Sequence, residues 1–359
     1  MRVSRDFRSV KRANARLAVA TRKGGSGARV RLHFCKVSRF RRYLNPLLAV
    51  VIVGCAGFFF FRAFQRNWAT VKAHEFRLAP AFLIGATLAL VAATLLATLS
   101  WFTAVNALSR GKITFRQSVA AVNASGFTKY IPGKIWSYAL QMYWLDRLGI
   151  SKALVVYVNL VNLLISMGTT VLFGLLCLLF SHGIFPLQVV LGSLFALLAV
   201  DACSVLFNHA ILNGLIRFIN RVLKREFAFF RVDKRLLVKL HVVQFAAAVA
   251  SGLSAYLFCF GIGYRIDLDR TLVVVGSSAL ADVAGFLAIM VPGGLGVREA
   301  LMYEMLGGAA KGSLALVLPV ASRLMSMFVD IVLGLVALRL LKSLTSVRAD
   351  LGAVKPGEA

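Results

Sequence analysis

The residues best suited to chemistry fall in one short run, Pro292-Gly293-Gly294-Leu295-Gly296-Val297-Arg298-Glu299. Pro292 removes a backbone donor, and Gly293, Gly294 and Gly296 relax the chain and let a ligand or another backbone approach closely. A helix restarting near Val297 points its positive end at whatever occupies the break, which favours an anion such as a lipid phosphate. Arg298 adds a guanidinium to the same place. Glu299 falls in the first turn, where it is either a capping acid or a functional intramembrane carboxylate. Arg323 and Asp330 follow, seven residues apart and so on one helical face. Arg323 either pairs with Glu299 as a buried structural ion pair or holds a phosphate through two hydrogen bonds.

The run has an earlier echo: Gly126-Phe127 and Pro132-Gly133 repeat the order of Gly285-Phe286 and Pro292-Gly293. Lys129 and Lys134 flank the earlier Pro-Gly pair. Two cations at a helix break suit an anionic head group, or else snorkel to the membrane surface. All the residues named so far, bar the Phe residues, Gly126, Gly285, Leu295 and Val297, are candidates for substrate binding. Asp282, just before Gly285, and Asp201 are candidates for relaying protons or coupling a cation. Asn159, Asn162 and Ser166 form a polar stripe at helical spacing, which reads first as interhelical glue; Asn123 precedes the earlier break.

Enzyme chemistry finds little support. There is no Ser/His/Asp set and no His cluster, and Asp267-Leu268-Asp269 reads as a turn rather than a metal pair. The five Cys and five His are scattered, so neither a disulfide framework nor a metal site is expected, and no cofactor is implied.

The elements that must carry these residues are membrane helices. The chain of 359 residues is 59% hydrophobic, with a mean hydropathy of +0.79. Its apolar runs are continuous and longer than a soluble helix needs, which predicts a polytopic all-α membrane protein and excludes a β-barrel. Six full spans are expected at Leu44–Phe61, Leu78–Val105, Ala153–Phe180, Phe185–Phe207, His241–Gly263 and Ser313–Leu338. Phe115–Leu148 and Thr271–Gly308 are too apolar for free loops and too broken for single spans. They are expected as two re-entrant hairpins entering from opposite faces, an inverted repeat; counting each hairpin as one span makes eight helices.

Charge sets the orientation. Of the net +28, fourteen basic residues against the single acid Asp6 lie between Met1 and Arg42. The segments 106–152 and 208–239 and the C-terminal tail are also basic, which places both termini in the cytoplasm. The tail 1–43 reads as an anchor facing anionic lipid rather than a nucleic-acid arm, because no aromatic or Gly motif accompanies its charges. Residues 44–341 form the membrane domain, with an amphipathic surface connector at 208–240, and 342–359 form a second cytoplasmic tail. Trp136, Tyr138, Tyr143 and Trp144 are expected as a belt at head-group level.

The run Pro292 to Glu299, together with Tyr130-Ile131-Pro132-Gly133-Lys134-Ile135-Trp136, resembles the transmembrane region of lysylphosphatidylglycerol synthases, a flippase-like domain also found in stand-alone membrane proteins. The similarity covers roughly Leu44 to Leu341. The resemblance implies a bacterial inner-membrane protein that moves a lipid, or a lipid-linked molecule, between leaflets. Aminoacyl transfer belongs to a soluble C-terminal domain of the two-domain members. The chain reaches Ala359 about twenty residues beyond the last expected span, so that activity is not expected here. The expected partners are membrane lipids with anionic head groups. The rival reading is a non-transporting subunit beside an envelope-biosynthesis enzyme; a membrane-embedded head-group transferase stands third.

Overall fold

The computed structural model describes residues 77–126, 135–181, 232–288, 294–307 and 313–353, with side chains to 341, and isolated positions elsewhere. These residues form eight α-helices and no strand. Pro80 opens α1 (Pro80–Ser109), where its missing N–H costs nothing. Two helices of 12 residues follow, α2 (Phe115–Gly126) and α3 (Ile135–Asp146). Ser151 caps α4 (Lys152–Phe180), its hydroxyl accepting from Leu154 N. Then come α5 (Lys234–Gly261) and α6 (Leu268–Leu287), the latter capped by the Asp267 carboxylate, which accepts from Arg270 N. The chain breaks and resumes as α7 (Val297–Gly307) and α8 (Ser313–Ala353).

Helices α1, α4, α5, α6 and most of α8 are long and apolar enough to cross a membrane. Four of them match expected spans. The other two expected spans, Leu44–Phe61 and Phe185–Phe207, fall outside the described residues or touch them only at isolated positions, as does the connector up to Val232. Helix α5 starts at Lys234, seven residues before the expected His241, because Asp233 takes the cap position and Lys234, Arg235 and Lys239 can reach polar surroundings along the first turns.

Each of the two stretches expected as a hairpin holds two helices, and those of the second are unequal in length. Helix α6 has 20 residues and by itself rises about 30 Å, a membrane's hydrocarbon thickness, whereas α2 and α3 rise only about 18 Å each. Thus the second break follows a helix of full span length rather than interrupting one midway.

Much of each long helix is apolar and exposed, as at Leu88 on α1 and Phe328 on α8, as expected of sides facing lipid. The interior has two apolar cores. In one, Val105, Val158 and Leu240 are buried with Leu145 of α3. In the other, Ala86, Phe258 and Val274 are buried with Met302 of α7 and Leu318 of α8. Helices α1 and α5 run antiparallel through both cores. Ala79 N donates to Gly261 O at 2.9 Å, and Ser254 Oγ donates to Ala86 O at 2.8 Å. The cores therefore sit at opposite ends of the α1–α5 pair. The first also takes in Ala121 of α2, the second Leu306 of α7, and the middle of the pair is left for something else.

Candidate functional site

That middle gathers polar side chains among apolar ones. A cavity with two lobes, about 310 and 380 Å³, lies between the cores. Its walls come from residues 90–101 of α1 and 244–252 of α5, the central turns of both helices, with parts of α3, α4 and α6. Thr94, Ser166, Thr170, Gln244 and Asp282 face both lobes, so the lobes adjoin.

A network of side-chain amides holds one wall. Asn162 Oδ1 accepts from Ser100 Oγ at 2.8 Å and from Gln244 Nε2 at 3.4 Å, tying α1 and α5 to α4. Asn159 Oδ1 accepts from Trp101 Nε1 at 3.2 Å, and its Nδ2 donates to Gln141 Oε1 at 2.8 Å. Gln141 Nε2 in turn donates to Ser125 Oγ at 2.9 Å. The stripe on α4 is thus interhelical glue and cavity wall together. Asn123 only bonds back to Val119 O on its own helix. The aromatic belt is corrected: Trp136 and Tyr143 face outward, but Tyr138 lines the cavity and Trp144 packs on the first core.

On the opposite side the cavity meets the second break. The Asp282 carboxylate, half exposed towards the cavity, pairs with the buried guanidinium of Arg298, accepting from its Nε. Arg298 Nη1 is buried and has no hydrogen-bond partner among the described residues. The sequence left Arg323 to pair with Glu299 or to hold a phosphate; the structure places Arg323 in ion-pair range of Glu299 and pairs Arg298, a ligand candidate, with Asp282. Glu299 Oε2 accepts from Gly296 N at 2.6 Å, the reciprocal half of a capping box at the start of α7. Its Oε1 stands 4.0 Å from Arg323 Nε, beyond hydrogen-bond distance.

The glycines of the break serve the backbone. Gly294 and Gly296 have φ of 71° and 84°, conformations that side chains resist. Gly294 N–H donates to Val291 O at 3.1 Å, and Gly296 N–H is taken by Glu299. These two amides are therefore not open to an anion. Asp330 lines the first lobe, while Arg323, expected on the same face two turns earlier, lies beside Glu299. Lys129, Pro132, Gly133, Lys134, Pro292 and Gly293 lie outside the described residues, as does Asp201.

Sequence reading missed the partnership of Asp282 with Arg298 and the roles of Gln141, Gln244, Ser100 and Trp101. A glutamine such as Gln244 within an apolar span was a usable signal, since a side-chain amide at that depth must find a partner.

An all-helical chain with five membrane-length helices around a partly polar cavity is a multi-pass membrane protein. Residues 47–334 match the family model described as the lysylphosphatidylglycerol synthase TM region, and the chain belongs to that flippase-like family. Neither a curated protein nor a solved structure matches it.

Proposed function

We propose that this protein moves an anionic lipid, or a lipid-linked molecule, between the leaflets of the bacterial plasma membrane, and makes or breaks no covalent bond in doing so. The observation that carries this reading is the Asp282–Arg298 pair, which joins the wall of a partly polar cavity at mid-helix depth to a break between α6 and α7. A charge pair inside a membrane domain is costly and is retained where a polar group must pass. Arg298 Nη1, buried without a hydrogen-bond partner among the described residues, offers a donor to a phosphate oxygen. The acyl chains remain in lipid while the head group crosses.

The packing supports two related halves, α1–α4 and α5–α8. Helix α2 of the first half packs on α8 of the second, and α6 of the second packs on α4 of the first. The hairpins thus pack reciprocally across the α1–α5 pair, as an inverted repeat would have them, and rocking of one half on the other would change the leaflet reached by the cavity. Both termini are then cytoplasmic, following the distribution of Lys and Arg.

The test uses purified protein in liposomes with tail-labelled anionic phospholipid and a membrane-impermeant quencher. Wild-type protein should expose inner-leaflet label. The paired variant Asp282→Leu/Arg298→Met, which leaves no unpaired charge, should not. Absence of lipid movement in wild-type vesicles, or full movement in the paired variant, overturns the proposal.

A further inference from the structure

The lining of the cavity narrows the head group it can take. Its polar side chains are the amides of Gln141, Asn159, Asn162 and Gln244, a set of hydroxyls, and the carboxylates of Asp282 and Asp330. Among the described residues, no Lys, Arg or His lines either lobe. A second negative charge on the head group, beyond a phosphate held by Arg298, would find no basic partner among them and would face two acids. For an ammonium, the charge of Asp282 is already matched by Arg298, and Asp330 is already engaged within the protein.

Hydroxyl groups fit better. They donate to carboxylates and amide oxygens and accept from amide nitrogens, so a mixed wall of this kind satisfies them in both roles. The amides are held in place by the network across α1, α3, α4 and α5, so their donor and acceptor ends are fixed before a ligand arrives. The hydroxyls of Ser166, Thr170, Ser251 and Ser278 line the cavity and make no hydrogen bond among the described residues. Trp101 and Tyr138 add aromatic surface to the second lobe, suited to the apolar face of a ring. Each lobe is at the lower end of the size of small-ligand sites.

We infer that the cavity between the two cores recognises an uncharged, hydroxyl-rich group, of the glycosyl or polyol kind, carried beyond the phosphate of an anionic lipid. This rests on the lipid-moving reading above and names the substrate class for the same site.

The experiment has two arms on the full chain. In the first, equilibrium binding of a labelled glycosyl-phosphate lipid is measured to protein in phosphatidylcholine nanodiscs, with free monosaccharide and a cationic diacyl lipid as competitors. In the second, movement of tail-labelled glycosyl-phosphate, phosphocholine and cationic lipids is compared in liposomes. Saturable binding that neither competitor displaces is expected, with the glycosyl lipid moved fastest. Ser166→Ala/Thr170→Val, which removes two hydroxyls outside the amide network, should weaken binding by about tenfold with unchanged melting. Lipid movement without glycosyl-lipid binding or preference overturns the inference and leaves the lipid-moving reading standing. Selective binding without movement of any lipid does the reverse. Displacement by free monosaccharide overturns the lipid source, and displacement by the cationic lipid overturns the head-group class.

Discussion

Gly294 rests directly on Gly285: a methyl group at residue 294 would come within 2.4 Å of the Gly285 carbonyl oxygen. The Gly-Phe and Pro-Gly-Gly parts of the second motif are therefore the two sides of one contact. The chain leaving α6 folds back so that the break lies against the helix it came from. That contact brings Arg298 over Gly285, where a Cβ would meet the Arg298 Cβ at 3.1 Å, and so within reach of Asp282.

Gly294→Ala should destabilise the protein by about 2–4 kcal/mol, since it adds both a clash and a side chain at positive φ. Gly126→Ala, where nothing lies within 4 Å, should be neutral or slightly stabilising. Thermal unfolding of the two variants in one detergent checks the contrast; equal melting would mean the glycines do not touch.

Asp282→Asn leaves the Arg298 guanidinium buried without its counter-charge and should cost on the order of 3 kcal/mol. Adding Arg298→Met should restore much of that loss, because the orphaned charge goes too. Strictly additive losses in this double-mutant cycle would refute the pairing.

Glu299→Gln keeps an acceptor for Gly296 N–H and should melt within about 0.5 kcal/mol of wild type, whereas Glu299→Ala should lose about 1 kcal/mol. If the two variants are equally destabilised, the carboxylate's charge towards Arg323, 4.0 Å away, matters more than the cap.

Asn162→Leu removes the shared acceptor of Ser100 and Gln244 and strands two donors, at a cost of about 2–4 kcal/mol. Asn123→Leu, which only frees a bond within α2, should cost less. Hydrogen exchange of α1 and α5 amides would report the loosening; unchanged protection with Asn162→Leu would show that the network does not hold these helices.

How far the sequence reads depends on the kind of contact. Long apolar runs identified α1, α4 and α8 because the bilayer demands about 20 apolar residues of any spanning helix, whatever surrounds it. Pro292 and the glycines after it located the second break, since their backbone preferences are local. The same local logic placed Glu299 in the first turn of α7. It overestimated the break as a ligand site, because whether Gly294 and Gly296 keep open N–H groups depends on Val291 O and Glu299, contacts that composition does not reveal.

The sequence by itself determined that this is a helical membrane protein of a flippase-like family, broken at a Pro-Gly-Gly turn. Those properties follow from hydropathy, length and backbone chemistry, which act within a few turns of chain. Only the tertiary structure decided that Arg298 belongs to Asp282, that Gln141 and Gln244 join Asn159 and Asn162 in one wall, and that the cavity lies between two apolar cores. In lipid a helix can be apolar on its outer and inner sides alike, so its inward face is not marked by hydrophobicity. Which polar residues meet is then settled by how the helices pack, across separations in sequence that no local pattern spans.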